Sequence, residues 1–462
     1  MESQKNDIFS WNQAILQEKL KNGEIHVCVI GIGRIGLPTA ISFAKANLPT
    51  IGVDINSELV EKVNSGVFPL KDEPGYEELF EKVIENGKLK ATTELKKALD
   101  VSDIILLSLP TPMDENNVPD YSAISNVCKN LSNEMSPNSL IVIESTIEPG
   151  FVENELISLL ESNNKLKINQ NFSIGVCPEN ANPGEILHDF NNLPRLIGGY
   201  DEKTLNLIYS IYSFVFPVEF LKMSNCKTAN AVKLTTNVFR DLNIAFVNEL
   251  AQLYEKLGID VYEVLNAAQK KYNFQIHYPG PGVGGPCLPV NSYQLINSAK
   301  AINSELKLVQ TGRKINEKMP NHLISLLQNG LNEINKQMIN STILILGISY
   351  KADVKDIQIS PAKDIVDLLK KEQVNVKIFD PYFLNSLEYG IKTEASLNEA
   401  VEDIDGVIIV TAHKEFLEIE PKFFVKENKK IVIVDSRGII NQQESKNDGN
   451  IYRGIGRGNL LK

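Results

Sequence analysis

Short unbroken apolar runs, each closed by glycine, proline or a small hydroxyl residue, recur along the first half of the chain. They are IHVCVI (25–30), DIILLSLP (103–110), SLIVIES (139–145), FSIGV (172–176) and RLIGG (195–199). Such runs, bounded by turn signals, read as strands buried on both faces. The segments between them carry apolar residues at helical spacing, and this alternation predicts a doubly wound parallel sheet. A second strand–turn–helix series begins at STILILGISYKADV, with strands near 374–379, 406–411 and 431–435. The stretch NEINKQMIN (332–340) reads as the polar connector before it.

Between the two series the helical pattern dominates. One helix is predicted from about Lys227 to Leu257, stopped by Gly258. At about 100° per residue, Lys233, Asn237, Arg240 and Asn248 fall within an arc of about 80°. Phe239, Phe246, Leu250, Leu253 and Leu257 lie elsewhere on it and are expected to be packed. The polar stripe reads either as a solvated face or as groups aimed into a site. A helix of this length can run between domains and carry a dimer contact. Residues 1–23 read as a short leading helix with Trp11, Ile15, Leu16 and Leu20 on one side. The Gly/Arg-rich tail from Arg453 to Gly458 receives no assignment.

The first strand is followed at once by Gly31-Ile32-Gly33-Arg34-Ile35-Gly36 and a helical stretch. IGVD then places Asp54 at the end of the next strand, 23 residues after Gly31. Glycines that admit a pyrophosphate, and a carboxylate for the ribose hydroxyls, make this a dinucleotide fingerprint in its proper context. No arginine directly follows Asp54, which favours NAD over NADP. The fold expected is therefore α/β: two Rossmann-like doubly wound domains joined by a long central helix and a helical middle domain. Its boundaries are an N-terminal helical extension (1–23), an NAD-binding domain (24–222), a central helical domain that can carry a dimer contact (223–331) and a C-terminal α/β domain (332–462). In open α/β sheets ligands sit at the carboxyl ends of strands. Thr111-Pro112, Ser145-Thr146 with Glu148-Pro149-Gly150, and Cys177-Pro178-Glu179-Asn180 lie there, although such residues also cap helices.

The loop PGPGVGGPCLPVN (279–291) places Cys287 just before an amphipathic segment. A thiolate, not a thiol, is the nucleophile, and the unpaired N–H groups of a helix N-terminus favour negative charge. The competing reading of any single cysteine is a buried structural one.

Bulk composition narrows the class. An apolar content of 43% and a charged content of 23% suit an ordinary globular protein, and 462 residues exceed a single core. A net charge of −11 argues against nucleic acid or an anionic membrane as partner. Five scattered cysteines fit a reducing, cytoplasmic setting, and the histidines and cysteines form no metal-ligand spacing. The first residues show no apolar signal core, and no run of about 18 apolar residues occurs.

Taken together, these residues resemble the UDP-glucose/GDP-mannose dehydrogenase family from about Ile25 to Arg437. The resemblance implies four-electron oxidation of a nucleotide-sugar C6 hydroxyl with two NAD in succession. It implies that Gly31, Ile32, Gly33, Arg34, Ile35, Gly36, Asp54, Thr111 and Thr146 hold NAD. The cysteine of GG-x-C, Cys287, is the implied nucleophile, and Lys233 and Asn237 of K-x-x-x-N polarise the reacting oxygen. Thr146 and Glu179 are the implied water and proton partners, with Asn291 at the position four residues after the cysteine. Glu179, Lys233, Arg240, Tyr278, Gly282, Gly284, Tyr350 and Lys351 are implied to bind the nucleotide sugar, the last two within the YK…SPA signature that includes Ser360, Pro361 and Ala362. PGPGVGG, Asn182-Pro183-Gly184 and FRDLNIAFVNELA resemble the UDP-N-acetylhexosamine branch, which acts on UDP-N-acetylmannosamine or UDP-N-acetylglucosamine. Asn291 stands where the family has Asp, Pro286 where the branch has His, Asn180 where it has Arg, and Gln358 where the signature has Arg. A homodimer or dimer-based oligomer is expected. The alternatives are a UDP-glucose 6-dehydrogenase, a hydroxyacid dehydrogenase of the 6-phosphogluconate kind and a non-catalytic NAD- or nucleotide-sugar-binding paralogue. Cys287 and residues 341–440 speak against the second of these.

Overall fold

The structure, a computed structural model, describes residues 6–163, 165–425 and 429–458. These form two compact units. The first runs to Thr236 and includes Tyr293–Ile302; the second comprises Asn237–Ser292 and the chain from Asn303 onward.

Eight strands build the sheet of the first unit: β1 (Val27–Ile30), β2 (Thr50–Val53), β3 (Leu89–Thr92), β4 (Ile104–Leu107), β5 (Ser139–Ile143), β6 (Phe172–Val176), β7 (Arg195–Gly199) and β8 (Phe220–Lys222). Their order is β3-β2-β1-β4-β5-β6-β7-β8. Every residue of β1, β4, β5, β6 and β7 is buried, which is why these strands read as continuous apolar runs. The expectation of a wholly parallel sheet needs one correction: β7 runs antiparallel to β6. An apolar run reports burial and carries no information on strand direction. The edge strands β3 and β8 are partly exposed, so neither stands out in the hydrophobic pattern. The leading helix, Gln13–Asn22, buries Leu16 and Leu20, whereas Ile15 faces outward. Residues 1–5 of the expected extension lie outside the described residues.

In the second unit β9 (Thr342–Leu346), β10 (Asn375–Phe379), β13 (Gly406–Ile409), β14 (Val432–Asp435) and β15 (Ile451–Gly454) pair in the order β10-β9-β13-β14-β15, all parallel. A small hairpin, β11 (Leu387–Glu388) with β12 (Ile391–Lys392), lies outside that sheet. This strand order reverses direction between β9 and β13, the place where open α/β sheets bind ligands. The helix Lys307–Glu333 shares a core with this sheet through Leu323, Leu326, Leu327 and Leu331. The unassigned tail is ordered: after β15, Gly456 N–H donates to Glu255 at 2.7 Å and its carbonyl accepts from Val261 N–H at 2.8 Å.

The long helix spans Cys226–Leu257; four of the apolar positions expected to be packed are open, and the polar stripe is in part buried. Phe239, Phe246, Leu253 and Leu257 are about half exposed, at 49%, 48%, 49% and 59%. Asn248 is fully buried and Asp241 nearly so. The reason is a polar network that satisfies them. Asp241 accepts from Ser292 Oγ (2.8 Å), Arg313 Nη1 (2.9 Å) and Asn316 Nδ2 (2.8 Å). Asn248 donates to Asn316 at 2.9 Å and accepts from Gly280 N–H at 2.8 Å. Buried polar groups are tolerated when hydrogen-bonded, and helical periodicity cannot reveal partners supplied by other helices.

Candidate active site

The cofactor cradle of the first unit follows from packing at the end of β1. A Cβ on Gly36 would stand 1.8 Å from the Gly31 carbonyl oxygen, so only glycine lets the helix Gly36–Lys45 start there. Asp54, half-buried at the end of β2, accepts from Ile32 N–H at 3.1 Å and Asn56 N–H at 2.9 Å. Arg34 pairs with Asp72 (2.9 Å) and with Glu73 (2.8 Å), and Glu73 also accepts from Gly184 N–H at 2.8 Å. Turn, helix start and strand-end carboxylate suit a dinucleotide bound by its pyrophosphate and ribose. The Asp54 carboxylate should repel a 2′-phosphate. Accordingly kcat/KM for NAD⁺ is expected to exceed that for NADP⁺ by about a hundredfold or more; equal use of NADP⁺ would overturn the assignment of Asp54.

At the ends of β4, β5 and β6 the expected hydroxyl and carboxylate residues are each held by neighbouring groups. Thr111 Oγ1 donates to the Thr146 carbonyl at 2.9 Å, and Gln294 Nε2 donates to the same oxygen at 3.0 Å. Glu179 accepts from the N–H groups of Asn180 (2.7 Å) and Ala181 (2.9 Å) and pairs with Arg195 Nη1 at 2.9 Å. Arg195 opens β7 as a buried cation, its guanidinium 3.7 Å from the Phe216 ring centroid and 4.4 Å from that of Phe190. The only trace of this residue in the sequence is a charge at the head of an apolar run. Beside it the buried Glu144 accepts from Ser108 Oγ (2.7 Å) and Tyr212 Oη (2.9 Å), and burial raises its pKa.

Of the five cysteines, Cys28, Cys128, Cys177 and Cys226 are buried, and Cys287 is exposed. Burial pushes the thiols of Cys128 and Cys177 up to about 12, so both stay protonated. Cys287 immediately precedes the helix Leu288–Ala301, and its carbonyl accepts the Asn291 N–H at 2.8 Å. The residue thus caps a helix N-terminus, as its loop context suggests.

The loop before it lies against the signature turn of the second unit. Gly285 N–H donates to the Gln358 carbonyl at 3.0 Å. Gly285 has φ 87°, and a Cβ there would stand 2.6 Å from the Tyr350 ring. A side chain at this point would displace the tyrosine. The turn itself contains Ile359 with φ 50°, a strained conformation for a β-branched residue. Arg437, absent from the sequence-derived set, brings a cation to the same loop: a Cβ on Gly280 would stand 2.9 Å from its Nη1. Asn291 is buried, and its side-chain oxygen accepts from Asn237 Nδ2. Lys233, one helical turn before Asn237, is buried at 7% exposure and belongs to the first unit. Arg240 is exposed, and the half-exposed Tyr278 stacks on Tyr262 with centroids 6.0 Å apart. Within the second unit, Asn237 meets Asn291, and the Gly282–Gly285 segment meets the Tyr350–Pro361 turn. Within the first, Thr111 meets Thr146.

Three descriptions of one family match successive segments: the NAD binding domain over residues 25–215, the central domain over 227–318 and the UDP binding domain over 344–442. A UDP-N-acetyl-D-mannosamine dehydrogenase of Pyrococcus horikoshii is 36% identical over 437 residues, covering 94% of this chain and 100% of its own. A solved structure of the UDP-D-ManNAc dehydrogenase from the same organism superposes with a TM-score of 0.87 at 35% identity, over 94% of this chain and 100% of that one. A UDP-N-acetyl-D-glucosamine 6-dehydrogenase of Pseudomonas aeruginosa is 28% identical across 91% of this chain and 99% of its own. Among the described residues no helix is long and apolar enough to cross a membrane. With its glycine cradle, exposed cysteine and signature turn in the matching order, the chain belongs to the UDP-glucose/GDP-mannose dehydrogenase family of NAD-dependent oxidoreductases.

Proposed function

We propose that this chain oxidises the C6 hydroxyl of a UDP-N-acetylhexosamine, UDP-N-acetylmannosamine or UDP-N-acetylglucosamine, to the uronic acid. The observation that carries this reading is Cys287, the exposed cysteine at a helix N-terminus beside the YK…SPA turn. The N-acetyl sugar is supported by relatives of that activity that align over nearly the whole chain.

NAD held by the Gly31–Gly36 turn and Asp54 supplies the hydride acceptor, two equivalents per sugar. The part of the chain's own residues is covalent and electrostatic. Cys287 thiolate adds to the C6 aldehyde, and the thiohemiacetal oxyanion is stabilised by the Lys233 cation and the Asn237 amide. After the second oxidation, water cleaves the thioester, releasing the carboxylate and the thiolate. Glu179, paired with Arg195, serves as an oriented acceptor for that water together with Thr146. Asn291 is an amide and takes no proton, so it positions by hydrogen bonding. Tyr350, Lys351, Gly282, Gly284, Tyr278 and Arg240 contribute to nucleotide-sugar binding in this reading.

The domain boundaries at residues 24–222, 223–331 and 332–462 belong to the same proposal. So does a homodimer, supported by the open apolar side of the long helix at Phe239, Phe246, Leu253 and Leu257. A cytoplasmic location is supported by four buried thiols and one exposed thiol. The reading is tested by counting NADH formed per nucleotide sugar consumed across a panel of UDP sugars. Two NADH per UDP-N-acetylhexosamine is expected; turnover confined to UDP-glucose, or one NADH with release of aldehyde, would overturn it.

A further inference from the structure

The second unit repeats the cradle of the first and then closes it. Gly31 (φ 87°) and Gly347 (φ 79°) stand in the same place, directly after the first strand of each sheet. In the first unit Asp54, at the end of β2, accepts from Ile32 N–H at 3.1 Å. In the second, Asp380, just after β10, accepts from Ile348 N–H at 2.7 Å and Ser349 N–H at 3.1 Å. There the likeness ends. Asp54 is half-buried, whereas Asp380 is fully buried, with His413 Nε2 at 3.0 Å from its Oδ2.

His413 is itself fully buried, with the Tyr382 ring centroid at 5.2 Å and the Phe416 centroid at 5.4 Å. Its other nitrogen, Nδ1, lies 3.0 Å from Asp353 N. A backbone N–H can only donate, so Nδ1 must accept, and the ring proton is left on Nε2 for Asp380. The charged groups facing the ring are Asp380, Asp353 (Oδ1 at 3.8 Å from Nδ1) and Lys414, which pairs with Asp353 at 3.6 Å. The imidazole therefore spans from the strand-end carboxylate to the turn containing Tyr350. That turn is also tied through Tyr350 N–H, which donates to the Asp356 carbonyl at 3.0 Å.

We propose that His413 is a positioning residue for the nucleotide site of the second unit. Its Nδ1 holds the Asp353 amide, and with it the Tyr350–Asp356 turn, while its Nε2–H closes Asp380 to a ribose. The same side chain thereby sets specificity. With its strand-end carboxylate spent inside the fold, the second unit lacks the ribose acceptor that Asp54 provides. It takes a nucleoside diphosphate through the turn in place of a dinucleotide. This inference rests on the reading of that turn as the nucleotide-sugar site.

The test is calorimetric titration of UDP, and separately of NAD⁺, into the full chain and two variants that each replace the ring by an amide. In His413→Asn the side-chain oxygen can take the place of Nδ1 and keep the Asp353 N–H. In His413→Gln the amide nitrogen can take the place of Nε2 and keep Asp380, but the Asp353 N–H is left unpaired. His413→Gln is expected to weaken UDP binding about tenfold, and His413→Asn less than about threefold; the first-unit NAD⁺ affinity stays unchanged in both, and a second, weaker NAD⁺ site is expected only in His413→Asn, where Asp380 is released. UDP affinity equal to wild type in both variants, or lost equally in both, would overturn the proposal. Should neither variant fold, nitrogen-15 histidine spectra of the wild type decide it. An Nε2–H ring at His413 whose Nδ1 signal moves on adding UDP supports the role; an Nδ1–H ring rejects it. A wild-type chain that binds no UDP would instead overturn the nucleotide reading itself, and this proposal with it.

Discussion

Replacing Cys287 by serine is expected to lower net uronic-acid formation by at least about a thousandfold while leaving the affinities for NAD⁺ and UDP within about threefold. A hydroxyl is far less ionised than a thiol near neutral pH, so the covalent addition to the aldehyde fails. The side chain is exposed and lies outside the four hydrophobic core clusters, so the substitution should leave the melting temperature almost unchanged. That separates the chemical role from a packing role. Rapid-quench mass spectrometry supplies the matching measurement: a sugar adduct on Cys287 in the wild type and none in the variant. Acid formation at the wild-type rate by the serine variant would make Cys287 a loop residue without chemistry.

Lys233→Ala is expected to reduce kcat by about a hundredfold to a thousandfold, with a much smaller change in KM for the nucleotide sugar. The argument is electrostatic. Lys233 is almost fully buried, and a cation in a poorly hydrated setting acts on developing negative charge far more strongly than one in water. Its effect therefore falls on the oxyanion formed during reaction, not on the bound alcohol. Lys233→Arg should not restore the rate, because a planar guanidinium cannot occupy an ammonium's place on the helix. A change confined to KM would reassign Lys233 to substrate positioning, and a matching loss of thermal stability would point to a structural lysine.

These expectations show how unevenly the site could be read from the chain. Gly31, Gly33, Gly36 and Asp54 were legible because a strand, a glycine turn, a helix and a second strand follow one another within about thirty residues. The place of Cys287 just before a helix was legible from its local company of glycine and proline. Arg195 and Arg437 were not, because each acts through residues distant in sequence: Arg195 on Glu179, and Arg437 on the loop at Gly280. Glu179 also acquires its meaning from that partner. Read alone it is a candidate base; held by a buried arginine and two amide N–H groups it is a fixed acceptor.

The long helix shows the same division. Its limits, Cys226–Leu257, follow closely from local periodicity and the stop at Gly258, whose φ of 72° suits glycine. Which of its faces is buried does not follow, because Asp241 and Asn248 are satisfied by Ser292, Arg313, Asn316 and Gly280 from other segments. What the amino-acid order determined by itself was the succession of buried strands, the cofactor turn and the exposed-cysteine loop, since each depends on contacts within one or two neighbouring elements. Tertiary structure alone decided the antiparallel sense of β7, the burial of the polar residues on the long helix and the closing of Asp380 by His413. Strand direction, hydrogen-bond satisfaction and the partner of a buried charge are properties of pairs of segments, and no single segment encodes them.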